Sequence, residues 1–128
     1  MVDASALLPA LTDQGGFGAQ AREALRRGAS HAPALVDAEV LQTVRRKVLA
    51  GHWSPESGGA ALEQLTALPL TLHSHRPLLP RCWQLRDAVS AHDAQYVALA
   101  EVLGATLVTA DVRLGRAPGT RCEVRVLT

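Results

Sequence analysis

Ser90-Ala91-His92-Asp93-Ala94-Gln95-Tyr96-Val97-Ala98-Leu99-Ala100-Glu101-Val102-Leu103-Gly104-Ala105-Thr106-Leu107-Val108-Thr109-Ala110-Asp111 decides the fold. Ser90 to Leu103 reads as a helix that Gly104 stops. Ala105 to Thr109 is then a short apolar run of the kind that forms a buried strand, and Asp111 follows its end. The chain opens on the same arrangement in miniature: Met1-Val2 is the stub of a strand, and Asp3 follows it. Strands separated by helical segments predict an α/β fold with a mainly parallel sheet. In such sheets the ligand crevice lies beyond the carboxyl ends of the strands. Asp3 and Asp111 both fall at that edge, and Asp93, at the start of a helix, tends to face it.

Between these ends the same alternation holds. Ser5 to Leu11 is helical in pattern, Thr12 to Gly18 is a Gly-rich break, and Ala19 to Arg27 is a second helix stopped by Gly28. His31-Ala32-Pro33 reads as an extended link. Leu35 to Leu49 is a strong amphipathic helix, with Val36, Val40, Val44 and Val48 at four-residue steps, and Gly51 ends it. Ser54 caps the next helix, with Pro55 in its first turn, and that helix runs to about Leu68. Leu70-Thr71-Leu72 is a strand candidate, Leu78 to Val89 is helical, and Cys122 to Leu127 is a final alternating strand. No internal repeat or low-complexity tract interrupts the pattern, so residues 1–128 read as one domain, large enough to bury a core.

Composition excludes more than it selects. Apolar residues make up 48% and charged residues 20%, as in ordinary soluble domains. A net charge of +1 means that bulk charge does not announce a nucleic-acid binder. Twelve of the thirteen basic side chains are arginine, whose planar fork suits phosphate; only Lys47 is lysine. Cys82 and Cys122 form no C-x-x-C pair and have no metal-ligand spacing, which predicts two reduced thiols in a cytoplasmic protein. No basic leader opens the chain, and no stretch approaches the roughly 20 apolar residues that cross a bilayer.

The chemistry rests on four acids: Asp3, Glu39, Asp93 and Asp111. Brought together, they form a carboxylate cluster with no built-in cation to neutralise it. Like charges at close range raise one another's pKa, so such a cluster is costly unless a divalent cation binds. Oxygen-only ligation points to Mg²⁺ or Mn²⁺ rather than zinc. Spacing does not choose between Asp37 and Glu39, which lie about 200° apart on their helix and flank the valine stripe on opposite sides. His73 and His75 share one face of a strand without a third zinc ligand in sight. Trp53 and Trp83 suit a core or an interface.

Val2-Asp3-Ala4-Ser5-Ala6-Leu7, Glu39 through Arg45-Arg46, Asp93-Ala94-Gln95-Tyr96-Val97-Ala98-Leu99-Ala100-Glu101 and Thr109-Ala110-Asp111-Val112-Arg113-Leu114 together resemble the PIN-domain nucleases, in particular the VapC-type toxins of toxin–antitoxin pairs. The likeness covers nearly the whole chain, in order and at similar spacing. It implies a Rossmann-like α/β/α sandwich and an Mg²⁺- or Mn²⁺-dependent ribonuclease that cleaves RNA with a metal-activated water. By position it implies Asp3, Glu39, Asp93 and Asp111 as the catalytic acids, with Asp3, Asp93 and Asp111 on the metal, Ser5 and Thr109 as supporting hydroxyls, and Arg45 and Arg46 as phosphate contacts. It also implies a small antitoxin partner and a homodimer, for which Trp53 and the Leu62–Leu68 helix offer apolar surface. RNA choice would rest on loops around Gly15–Gly18 and Arg113–Arg121. One departure stands out: only Met1 and Val2 precede Asp3, where chains of that family carry a few more strand residues.

Three other readings share parts of this pattern. A housekeeping RNA-processing nuclease has the same site but no neighbouring antitoxin gene. An inactive PIN-like binding domain has no need of the intact acid set. A phosphoryl-accepting receiver domain uses a strand-end Asp too, but it needs a lysine in the last third of the chain, and there is none.

Overall fold

A computed structural model describes residues 1–27 and 30–128. At its centre is helix α6 (Ala91–Leu103), apolar on nearly all sides and buried at Ala94, Tyr96, Val97, Ala98, Leu99 and Ala100. Ser90 caps it, its Oγ accepting from the Asp93 N–H at 3.1 Å. Gly104 closes it at φ 60°, a left-handed turn natural to glycine, with its N–H returned to the carbonyls of the last turn. Strand β3 (Leu107–Thr109) follows and is fully buried.

All strand pairings among the described residues are parallel. β3 pairs with β4 (Val124–Val126) on one side and, on the other, with Val2 through a single bridge. That bridge is carried by Val108 N–H to the Met1 carbonyl at 2.8 Å and Asp3 N–H to the Val108 carbonyl at 3.1 Å. A second ladder joins β1 (His31–Pro33) to β2 (Thr71–His73). With strands of three residues and a two-residue stub at the chain's start, the pairing takes the form of two short ladders. Helices α1 (Ala4–Thr12), α2 (Gly16–Arg26), α3 (Leu35–Leu49), α4 (Pro55–Ala67) and α5 (Leu79–Gln84) pack around these strands, and the four-residue α7 (Val112–Gly115) links β3 to β4. The valine stripe of α3 is buried at Val36, Val40 and Val44, and joins Leu7, Tyr96 and Leu107 in one core.

Several boundaries differ from the sequence reading, each for a local reason. His31–Pro33 is a strand, not a link: Pro33 lacks an N–H, but the ladder is closed around it by Thr71 N–H to Ser30 O and Ala34 N–H to His73 O, each 2.9 Å. The run from Leu78 to Val89 is helical only in part. Pro77 sits in a 3₁₀ turn (Arg76–Leu78), Pro80 lies in the first turn of α5, and the backbone leaves the helix after Gln84. The second helix starts at Gly16, three residues early, because Asp13 organises its entry. The Asp13 carboxylate accepts from Gly15 N–H at 2.8 Å and Gly18 N–H at 2.7 Å, and Arg22 Nη1 ties back to the Asp13 carbonyl at 2.7 Å. Gly28, read as that helix's stop, lies outside the described residues.

Gly18 is forced by this entry. A Cβ there would collide with the Asp13 carbonyl oxygen, whereas one on Gly16 meets nothing within 4 Å. Gly18→Ala is therefore expected to cost about 1–3 kcal/mol of stability, while Gly16→Ala leaves stability unchanged or slightly higher. Thermal melts of the two variants check this pair.

Behind α6, Arg81 and Glu101 make an ion pair at 2.8 and 3.0 Å with both side chains largely covered. Arg81 also donates to the Gly119 carbonyl at 2.7 Å, and Glu101 accepts from the Arg121 N–H at 2.8 Å. Glu101 thus fixes α5 and the 116–121 loop against α6. Burial pushes its pKa up, but the Arg81 guanidinium and the Arg121 N–H outweigh this and hold it below the ordinary value.

Candidate active site

Asp3 is the anchor of the site. It ends the N-terminal strand stub and caps α1, its Oδ1 accepting from Ala6 N–H at 3.1 Å. It is also buried, at 5% exposure. Two hydroxyls hold its carboxylate: Ser5 Oγ donates to Oδ1 at 2.6 Å and Thr109 Oγ1 donates to Oδ2 at 2.5 Å. The same hydroxyls accept from the backbone beyond β3, Ser5 from Ala110 N–H at 2.9 Å and Thr109 from Asp111 N–H at 3.0 Å. They therefore lock the start of α1 to the end of β3 and fix Asp3 between them.

The electrostatics single Asp3 out. Burial raises its pKa above the ordinary carboxylate value, the Ser5 and Thr109 hydroxyls and the Ala6 N–H pull it back in part, and the facing charge of Asp93 pushes it up again. Asp93 sits in the first turn of α6 and shares a 210 Å³ cleft with Asp111. Asp93 and Asp111 thus share one cleft, while Asp3 lies outside its lining and is linked to it by the charge of Asp93 and by the Ser5 and Thr109 hydroxyls.

Glu39, on α3, is held by a side chain the sequence reading quoted but gave no role. Tyr96, 1% exposed, donates its hydroxyl to Glu39 Oε1 at 2.7 Å. Burial and then the Glu39 carboxylate push the Tyr96 pKa far above its usual value, so it acts only as a donor. The spacing signal was available in Asp93-Ala94-Gln95-Tyr96, but the partner lies 57 residues away. Glu39 lines a second groove of 640 Å³ with Ser5, Arg46, Lys47 and His92. Asp37 is exposed. Arg45 is exposed too and lies outside the groove's lining, so of the two arginines only Arg46 faces it.

The acid set is not free of cations, contrary to the sequence reading. Arg113 meets both Asp111 oxygens, Nε to Oδ1 at 3.4 Å and Nη2 to Oδ2 at 3.3 Å. Its guanidinium and backbone N–H hold the Asp111 carboxyl below the usual range. Two other expectations change. Trp53, Leu62 and Leu68 pack against the core and Leu65 is buried, so they offer little free surface. Exposed apolar side chains among the described residues include Leu79 and Trp83 on α5, Val102 and Leu103 on α6, Leu41 and Leu49 on α3, Leu72 on β2 and Val112 on α7. His75 lies past the end of β2 and so shares no strand face with His73, which pairs instead with His31 on the neighbouring strand, their ring nitrogens 2.9 Å apart.

Whether these residues suit a divalent cation follows from the donors. Among the described residues, no three His, Cys, Asp or Glu side chains stand close enough together to coordinate one ion. The donors are all carboxylate oxygens, however, and Mg²⁺ keeps several waters and takes only one or two carboxylates. Asp3 and Asp93, one buried and the other repelling it, make such a partial shell, with Asp111 across the cleft. The fit is to a hard, water-carrying ion.

The sequence comparison decides the family. A family model described as "PIN domain" matches residues 1–119. The chain belongs to the PIN-domain family. Within it, the chain is 42% identical to ribonuclease VapC1 of Mycobacterium tuberculosis over 128 residues, covering 99% of this chain and 96% of that protein. It is 43% identical to ribonuclease VapC3 of the same organism over 117 residues, covering 91% and 85%. Its backbone resembles a VapBC2 structure from Rickettsia felis, solved bound to a DNA fragment from their promoter, with a TM-score of 0.73 at 14% identity over 100% of this chain and 98% of that one. That likeness carries the PIN fold to these parallel strands, and Asp3 and Asp111 follow the ends of two of them.

Proposed function

We propose that this PIN-domain chain is an Mg²⁺- or Mn²⁺-dependent endoribonuclease and the toxin of a type II toxin–antitoxin pair. One observation carries the reading: the buried Asp3, held by Ser5 and Thr109 and facing Asp93, lies in a chain that aligns along nearly its full length with proteins named VapC ribonucleases. Asp3, Asp93 and Asp111 would share the ion, one or two of them bonded to it directly and the rest through its waters. When bound, it lowers the pKa of a water and offsets charge on the scissile phosphate. Tyr96 takes Oε1 of Glu39 and so leaves Oε2 as the base that would accept the attacking water's proton. Arg46 and Lys47 guide the RNA backbone along the Glu39 groove. The 2′-hydroxyl takes no part.

Such an activity harms its own cell, so the reading includes a cytoplasmic location and a small antitoxin whose tail covers the groove beside the acids. No helix among the described residues is long and apolar enough to cross a membrane. It also includes a homodimer, for which Leu79, Trp83 and Val102 supply exposed apolar surface. Mapping of RNA ends after brief induction of the chain should find new 5′-phosphate and 3′-hydroxyl ends at discrete sites. Ends bearing 2′,3′-cyclic phosphate would contradict the water mechanism.

A further inference from the structure

Arg113 stands where an RNA-cleaving site needs a cation, yet in the protein alone it is engaged by its own site. It lines the 210 Å³ cleft with Asp93 and Asp111, whereas Arg46 and Lys47 line the Glu39 groove. Two separate contacts join it to Asp111. The Arg113 backbone N–H donates to Oδ1 at 2.8 Å, which caps α7 and does not depend on the side chain. The guanidinium contacts, at 3.3 and 3.4 Å, are longer, and the Arg113 side chain is 92% exposed. An exposed pair of this kind is held weakly and exchanges readily. The cap therefore keeps Asp111 in place while the guanidinium is free to leave it.

A guanidinium that faces a carboxylate with two N–H groups presents the same fork to a phosphate. A ribonuclease must also bring a polyanion up to its own acids, and the Asp93–Asp111 side of this site has Arg113 as the cation on its wall. We infer that Arg113 is an exchangeable phosphate contact: it shields Asp111 while the site holds no divalent cation, and turns to an RNA phosphate on the Asp93 side of the cleft once a cation takes over Asp111. No covalent bond changes; one ion-pair partner replaces another. The inference rests on the metal-dependent ribonuclease reading above and adds the second wall of the RNA path.

The test separates the two. Mn²⁺ binding to RNA-free protein is measured by calorimetry for wild type, Arg113→Ala, Arg113→Lys and Arg116→Ala, the last an exposed arginine that removes the same charge without touching Asp111. Losing the internal competitor should tighten Mn²⁺ about 2- to 5-fold in Arg113→Ala, with Arg116→Ala close to wild type. With single-stranded RNA, Arg113→Ala should raise KM more than it lowers kcat. Its plot of log KM against log salt should also be flatter by about 0.7, the loss of one phosphate contact. Arg113→Lys should restore that slope. Mn²⁺ affinity that is unchanged, or altered equally in Arg116→Ala, overturns the shielding; an unchanged salt slope overturns the phosphate contact. Wild type that binds no Mn²⁺ overturns instead the metal reading on which the inference stands.

Discussion

Asp3→Asn is expected to abolish RNA cleavage, lowering kcat/KM by about 10³-fold or more, since the metal's share of transition-state stabilisation is several kcal/mol. The same variant should melt no lower than wild type in metal-free buffer. Asn can still cap α1 through its side-chain oxygen, and the Thr109 hydroxyl can reverse to accept from the new amide. What disappears is a buried carboxylate facing Asp93. The pH dependence carries the sign. A carboxyl whose folded pKa lies above its ordinary value near 3.8 binds more protons folded than unfolded. It therefore costs stability as pH rises through that window, and the cost is complete above the folded value. The gain in melting temperature of Asp3→Asn over wild type should be largest at neutral pH and shrink as pH falls toward 3.8. A clear loss of metal-free stability at neutral pH would make Asp3 a structural residue.

Glu39→Gln should lower kcat about 10²-fold, the scale of a lost general base, while Asp37→Asn stays within about twofold, as for an exposed substitution. Both changes remove one charge and keep the side chain's size, so a field effect would appear in both. Glu39 is half-buried, bonded to Tyr96 and in the groove with Ser5; Asp37 is exposed on the same helix. Equal losses would mean that α3 presents its other flank to the RNA.

The helices that punctuate themselves were legible in the chain. Ser54-Pro55, Gly51 and Gly104 mark boundaries because a cap or a left-handed turn is a property of one or two residues. What stayed hidden was non-local. His31–Pro33 reads as a link because three residues, one of them proline, carry too little pattern; the strand exists through Thr71–His73, forty residues on. The early start of α2 depends on how Asp13 folds back over Gly15 and Gly18, against the low helix propensity of glycine.

In the site, the acids at strand ends could be read because topology alone sends them to one edge. The choice of Glu39 over Asp37 could not, since periodicity is symmetric about the valine stripe. Tyr96 supplies the missing physical reason, through a hydroxyl that reaches across from α6. The Asp111–Arg113 pair was missed because residues two apart do not face each other on a helix. Here Asp111 lies before the helix, as its cap, where the rule does not apply.

The central claim is that carboxylates at this edge work through a divalent cation, and one titration tests it most directly. Purified chain, stripped with EDTA and dialysed, is assayed on a single-stranded RNA while Mn²⁺ or Mg²⁺ is added back, with Asp93→Asn in parallel. Cleavage should be absent without metal, return along a saturable curve, and stay absent in Asp93→Asn at every metal concentration. Undiminished cleavage in EDTA, or full recovery in Asp93→Asn, would contradict the account.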